Sequence, residues 1–100
     1  MDPDVAIDFE AVVWVYSGPA AWHFVTLPEK SAQMIRFVAG RRPGFGSVRV
    51  HVSIGALRWK TSIFPDKNSG SYLLPLKADM RRREGISAGD RIAVSLAVNP

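Results

Sequence analysis

Side chains that could bind a metal ion are few in this sequence. The chain has two histidines, His23 and His51, and no cysteine. Neither histidine is followed by a second good ligand within the short spacing that metal sites on one strand or one helical turn use. Both lie in strand-like stretches among aromatic or polar neighbours. We therefore expect structural roles for the two histidines, no metal site and no cofactor.

Nucleophilic and acid–base catalysis also lack a recognisable pattern. A catalytic serine needs a base that a third group holds in place, and no G-x-S-x-G turn occurs in the chain. Asp8 and Glu10 share the outer face of one predicted strand, where a pair of carboxylates more often keeps a protein soluble than transfers protons. We expect that the protein is not an enzyme.

Arginines supply most of the remaining charged chemistry. Arg41 and Arg42 lie in a loop of sequence GRRPGFG that could curl around an anion but lacks the lysine and hydroxyl residue of a P-loop. Arg81, Arg82 and Arg83 follow one another on a predicted helix and so point about 100° apart instead of forming a flat patch. The net charge of +4 tolerates an anionic partner without requiring one. Nucleic-acid binding through these five arginines is the alternative hypothesis.

Aromatic residues offer a different kind of site. Five of them, Trp14, Tyr16, Trp22, Trp59 and Tyr72, fall near strand ends or on mixed faces, although a small barrel uses some of its aromatic residues to fill its interior. Of these, Trp22, Trp59 and Tyr72 are the candidates for a cleft. Arg81 is expected to lie along the barrel with its stem buried and its charged head paired with a carboxylate. Aromatic walls with one cation suit a small anionic or aromatic ligand. We therefore predict that any ligand-binding cleft contains these four residues.

The chain that must position these groups is short. Residues 1–100 make a single domain, and an apolar fraction of 47% is enough for a packed core and argues against disorder. The acidic N-terminus and its short apolar run match neither a secretion signal nor a membrane span, and the lack of cysteine suits a reducing compartment. These features predict a cytoplasmic protein without membrane association.

Alternating apolar residues predict a mainly β protein with two short helices. The predicted strands are residues 7–16, 22–27, 48–54, 57–64, 71–76 and 91–98, and the predicted helices are residues 28–38 and 77–83. The first strand should begin half-exposed and end covered on both faces. The first helix should turn Met34, Ile35 and Val38 inward and Glu29, Lys30 and Arg36 outward.

Two glycine turns have a structural explanation. Gly55-Ala56 joins two strands directly, and glycine at the first central position is typical of a type II′ hairpin. In the sequence SAGD, Gly89 can adopt a positive φ and Asp90 can accept hydrogen bonds from nearby backbone N–H groups. Both turns are therefore predicted to shape the fold.

Two parts of the chain share the order strand, Leu-Pro, helix, glycine turn, strand. The two pairs, Leu27-Pro28 and Leu74-Pro75, lie about half a chain length apart. One β-α-β unit cannot bury its own apolar face, so two such units must pack together. We interpret the pattern as a degenerate internal duplication.

The same motifs resemble a known family. WHFVTLP, the Gly55 turn, SYLLPLKADMRRREG and ISAGDRIAVSL are similar, in order and over nearly the whole chain, to a bacterial domain of unknown function, number nineteen hundred and five. The resemblance implies a small double-split β-barrel, in which one chain is like the dimer of transition-state-regulator-type DNA-binding proteins. The pattern departs from the family in the GRRPGFG loop, and the family carries no established activity.

Sequence and resemblance together predict one double-split β-barrel made of two β-α-β-like halves. We expect a non-enzymatic binding or accessory module whose partner is a small ligand or a protein. A barrel that already contains both halves need not dimerise, so a monomer is favoured.

Overall fold

The fold is mainly β, as the sequence predicts. The computed structural model describes residues 5–18, 20–39 and 46–98. Within these residues the elements are β1 (Val5–Val12), β2 (Trp14–Val15), β3 (His23–Thr26), α1 (Glu29–Ala39), β4 (Val48–Ile54), β5 (Leu57–Asp66), β6 (Ser71–Pro75), α2 (Ala78–Glu84) and β7 (Arg91–Val98). The predicted strands and helices are present with small shifts at their ends, except that the first predicted strand is divided at Val13 into β1 and β2. The prediction of a mainly β fold with two helices is confirmed.

The strands form one antiparallel sheet that curls into a barrel-like shape. Its order is β1-β7-β4-β5-β6-β3-β2, so the first two strands of the chain lie at opposite ends of the sheet. Only Val13 separates them in sequence. The Val13 amide donates to the Asp90 carbonyl at 2.9 Å, and the Gly89 amide donates to the Val13 carbonyl at 2.8 Å. These bonds extend the β1–β7 pairing to Val13, and from there the chain continues into β2 at the other end of the sheet.

The core lies on the concave side of the sheet. Alternation along β4 buries Val48, Val50, Val52 and Ile54 and leaves the residues between them more exposed, as predicted. β3, β5, β6, β7 and α1 also contribute large buried side chains, among them Val25, Ile35, Ile63, Leu74 and Leu96. Burying a side chain of this size stabilises the fold by about 1.5–3 kcal/mol relative to leaving it in water.

The inward face of α1 differs from the predicted one. Ser31, Ala32 and Ile35 are buried, whereas Met34 is 47% exposed, so the prediction that Met34 faces the core is wrong. Ser31, Ala32 and Ile35 share one side of the helix, and Met34 lies about 100° away from Ile35. Val38 is partly buried against the core, in agreement with its predicted direction.

The end of the first predicted strand is exposed, contrary to prediction. Val12 is 47% exposed and Tyr16 is 57% exposed, although an apolar run of this kind is typical of a strand covered on both faces. The strand is interrupted at Val13, because β1 before it pairs with β7 and β2 after it pairs with β3. The outer surface of this end of the sheet is open to solvent and carries aromatic side chains.

Both glycine turns have the predicted backbone. Gly55 has φ 57°, Ala56 is not among the residues with positive φ, and Ile54 pairs with Leu57 across the turn. This pattern matches a type II′ hairpin. Gly89 has φ 92°, and the Ser87 amide donates to the Asp90 carboxylate at 2.8 Å.

The two Leu-Pro pairs are not equivalent in structure. Pro28 directly precedes α1, whereas Pro75 is the last residue of β6, opposite Phe24, and α2 begins at Ala78. The second Leu-Pro pair therefore ends its strand, whereas the first pair follows its strand. The strands that the predicted duplication makes counterparts nevertheless pair with each other, β3 with β6 and β4 with β7.

Candidate functional site

Of the four predicted cleft residues, the structure brings two together. Trp22 and Arg81 line one cavity. Trp59 stands opposite Val52 in the β4–β5 pair, which turns it toward the inner face, where it packs against the core. Tyr72 is buried in the core as well. Trp59 and Tyr72 are kept apart from Trp22 and Arg81 by the pairing of the strands, and residue types alone do not predict that pairing.

The segment between β2 and β3 holds Trp22 at the surface. The Tyr16 amide donates to the Trp22 carbonyl at 2.7 Å, and the Ala21 amide donates to the Gly18 carbonyl at 3.2 Å. His23 Nδ1 donates to the Ala21 carbonyl at 2.8 Å, since a carbonyl oxygen can only accept. Ala21 has φ 47°, a left-handed conformation that costs a residue with a Cβ about 1–2 kcal/mol. The fold thus maintains local strain beside a tryptophan that is 56% exposed.

The first cavity, here called the basic cavity, has a volume of about 410 Å³. Its lining combines apolar side chains, among them Trp22, Phe64 and Pro75, with the cationic side chains of Lys77 and Arg81. No carboxylate belongs to the lining within the part of the chain that the structure describes. The cavity is therefore suited to an apolar group that carries negative charge.

Arg81 is held by the backbone and not by an acid. Its Nε donates to the Leu76 carbonyl at 3.2 Å, and the side chain is half-buried. The ion pairs among the described residues join Arg36 to Glu29 and Arg91 to Glu10. The prediction of a carboxylate partner for Arg81 is therefore wrong, while the prediction of a partly buried stem is confirmed.

A second cavity, here called the aromatic cavity, also has Trp22 in its lining. Its volume is about 550 Å³, and its lining is Trp14, Tyr16, Trp22, Phe24 and Leu73 with Asp66, Asn68 and Ser69 at the rim. The ring centroids of Trp14 and Phe24 are 5.2 Å apart, and those of Trp22 and Phe24 are 6.3 Å apart with planes 12° from parallel. The rings thus form a continuous aromatic surface.

Sequence reasoning missed the aromatic cavity, although a signal for it was present. Trp14 and Tyr16 recur with a period of two, as do Trp22 and Phe24, and residues at that spacing share a strand face. The β2–β3 register then places Trp14 directly opposite Phe24. The apolar residues around Trp14 masked the signal, because they favour a fully covered strand.

The arginines of the alternative hypothesis do not form one surface in the described residues. Arg81, Arg82 and Arg83 occupy the last turn of α2, where Arg82 and Arg83 are exposed and Arg81 lines the basic cavity. Arg41 and Arg42 lie outside the described residues. The two exposed arginines of α2 are too few to define a nucleic-acid track.

Two further searches concern metals and membranes. Across residues 5–18, 20–39 and 46–98, no three His, Asp or Glu side chains lie together as a metal site requires. Neither described helix is long and apolar enough to cross a membrane.

The curled antiparallel sheet, the two helices and the paired cavities define a small, mainly β domain with a barrel-like fold. The family described as Domain of unknown function (DUF1905) matches residues 9–96, and the chain belongs to this family. No curated protein matches the chain significantly. The resemblance deduced from the sequence motifs is therefore confirmed at the level of the family.

Proposed function

We propose that this domain is a non-enzymatic binding module for a small aromatic ligand that carries an anionic group. The ligand binds in the basic cavity, with its ring against Trp22 and its anion at Arg81. The observation that carries the proposal is that Trp22, more than half exposed, shares one cavity with Lys77 and Arg81. A large exposed aromatic side chain beside unneutralised cations is a typical feature of ligand sites.

The hydrogen bond of Arg81 supports this role. Because Nε donates to the Leu76 carbonyl, the guanidinium plane is fixed before any ligand arrives. Within the described residues, the two terminal nitrogens remain as donors for an anion. The planar guanidinium can donate two parallel hydrogen bonds to a carboxylate, which a lysine ammonium, a compact point charge, does not match as well. Preorganisation of this kind reduces the ordering cost of binding.

The polar groups around the cavity favour binding over catalysis. His23 is the only imidazole in the lining of the basic cavity as described, and its Nδ1 donates to the Ala21 carbonyl. A nucleophile activated by that ring would have to lie beside Nε2, and the lining supplies only Thr61 as a hydroxyl. We therefore propose recognition without chemical turnover.

The test compares benzoate with benzyl alcohol, a ligand of similar shape without the charge. Binding is followed by amide chemical shifts at constant ionic strength. We expect benzoate to shift the signals of Trp22 and Lys77 and to bind at least about fivefold more tightly than benzyl alcohol. Arg81→Gln should remove this preference, whereas Arg82→Gln, one position along the same helix, should keep it. Equal affinity for both compounds in the wild-type domain would contradict the proposal.

We also infer that the domain is a double-split barrel produced by internal duplication. Antiparallel pairing of β3 with β6 and of β4 with β7 supports this, because a two-fold axis between two equivalent units pairs each strand with its counterpart. The halves have diverged, since α1 spans Glu29–Ala39 and α2 only Ala78–Glu84. Each half supplies the strand partners of the other, so the domain acts as a monomer.

A further inference from the structure

The aromatic cavity has a composition that differs from the basic cavity. Four aromatic rings line it, from Trp14, Tyr16, Trp22 and Phe24. Tyr16 is 57% exposed, so its ring is free to contact a ligand. The cavity of about 550 Å³ is large enough for a compact organic group in contact with several rings.

The charged group at the rim is acidic. Asp66 lines the cavity together with Asn68 and Ser69, and no lysine, arginine or histidine belongs to its lining in residues 5–18, 20–39 and 46–98. Arg36 and Lys67 are not part of the lining. Arg36 donates to the Gly70 carbonyl at 3.3 Å, and Lys67 is exposed. The two cavities beside Trp22 therefore have opposite charge preferences.

The Asp66 carboxylate is held in place by the turn that follows β5. Its Oδ2 accepts hydrogen bonds from the Ser69 amide at 3.1 Å and from the Ser69 hydroxyl at 2.7 Å. Both bonds use the same oxygen, and in the described residues Oδ1 accepts none. A carboxylate fixed in this way presents negative charge to the cavity without reorganising.

Aromatic faces together with a carboxylate favour one class of ligand. A cation within about 6 Å of an aromatic ring centroid is attracted by the negative face of the ring, and several rings around one cation add their effects. A methylated ammonium group also has an apolar surface that gains from leaving water. A neutral apolar ligand would use the rings but not Asp66, and an anion would be repelled by it.

We propose that the aromatic cavity binds a quaternary or methylated ammonium group. The cation lies against the faces of Trp14, Trp22 and Phe24, and Tyr16 closes the open side. Asp66 supplies the counter-charge from the rim. The two cavities share Trp22, but their charged groups differ, with Asp66 in the aromatic cavity and Lys77 and Arg81 in the basic cavity. The charge preference proposed for one cavity does not depend on that proposed for the other.

The test uses choline and its uncharged isostere 3,3-dimethylbutan-1-ol. Tryptophan fluorescence is followed in a Trp59→Phe background, so that the signal comes from Trp14 and Trp22 alone. Potassium chloride keeps the ionic strength constant. We expect choline to change the fluorescence saturably and to bind at least about fivefold more tightly than the isostere. Equal affinities, or no saturable change with choline, would overturn the proposal.

Variants separate the contribution of the rings from that of the acid. Trp22→Leu keeps apolar volume but removes a ring face, so the preference for choline should fall, while Trp22→Tyr should keep most of it. Asp66→Asn keeps an oxygen acceptor for Ser69 but removes the charge, and should weaken choline binding about threefold. Asp8→Asn, an exposed acid elsewhere on the sheet, is the matched control and should change nothing.

Thermal melting checks that each variant is folded. Because Trp22 is largely exposed, its replacement should leave the melting temperature close to that of the wild type. Retention of the full choline preference in Trp22→Leu would overturn the proposal. Arg81→Gln, which tests the basic cavity, should leave choline binding unchanged, so the two proposals can fail independently.

Discussion

The indole nitrogen of Trp14 donates a hydrogen bond to the Thr26 hydroxyl at 2.9 Å. Trp14 pairs with Phe24 in the β2–β3 ladder, so Thr26 is its diagonal neighbour on the same face. The bond orients the indole plane whose ring centroid lies 5.2 Å from that of Phe24. A strand of two residues thus holds one wall of the aromatic cavity.

Replacing Thr26 by valine should destabilise the domain. Thr26→Val keeps the shape of the side chain but leaves a partly buried indole N–H without its acceptor, which costs about 1 kcal/mol. For a domain of this size the melting temperature should fall by about 4–8 °C. Thr26→Ser keeps the hydroxyl and is the control. Identical melting of Thr26→Val and the wild type would show that the bond contributes nothing.

The observed inward face of α1 gives a second prediction. Ala32 is fully buried, so Ala32→Leu forces extra volume into a packed core and should cost about 1–3 kcal/mol. Met34 is exposed, so Met34→Gln should change stability by no more than about 0.5 kcal/mol. Urea unfolding of both variants measures the difference. A larger loss for Met34→Gln than for Ala32→Leu would mean that α1 is rotated.

A third prediction concerns the β4–β5 hairpin. Gly55→Val should cost more than about 1 kcal/mol, because a β-branched residue resists the φ of 57° at this position. A Cβ at this position would also meet the Glu84 carboxylate. The end of that flexible side chain can move, so the backbone is expected to dominate.

The Glu84→Ala background separates the two causes. If backbone strain dominates, Gly55→Val should lower the free energy of unfolding by the same amount in this background as in the wild type. Full recovery of stability in the double variant would instead assign the whole effect to contact with Glu84.

Cutting the chain in the same turn tests how the two halves depend on each other. The β1–β7, β3–β6, β4–β5 and β4–β7 pairs all join residues 1–55 to residues 56–100. Only the β2–β3 and β5–β6 pairs lie within one fragment. Each fragment alone should therefore be unfolded or insoluble, since its strand edges and apolar faces are exposed.

The mixed fragments should recover the circular dichroism spectrum of the intact domain, because the cut leaves every paired strand whole. Equimolar mixing during removal of denaturant is the measurement. Cooperative folding of the fragment of residues 1–55 as a monomer would contradict both the interlocked sheet and the duplication.

Local patterns predicted the elements of the fold better than the site. Alternation in β4 and the glycine at position 55 depend on neighbouring residues only, and both predictions are confirmed. Whether Trp59 and Tyr72 face the core or a surface cavity depends on which strand lies beside each of them. That information comes from the register of the sheet, and one sequence contains it only indirectly.

The aromatic cavity was missed for a related reason. Trp14 and Tyr16 belong to an apolar run, and such a run is usual in strands that are covered on both faces. Whether a second layer covers the strand is decided by the path of the helices. In this domain α1 packs against β1, β6 and β7, and the aromatic face at β2 and β3 stays open to solvent.

The central claim is that Trp22 lines two cavities of opposite charge preference. Its most direct test follows the three indole N–H signals and the Arg81 Nε–H signal by ¹H–¹⁵N correlation spectra, with benzoate and choline titrated separately. Benzoate should shift the signals of Trp22 and Arg81, choline should shift those of Trp14 and Trp22, and Trp59 should stay unchanged in both titrations. Identical shift patterns for the two compounds, or movement of the Trp59 signal alone, would contradict the claim.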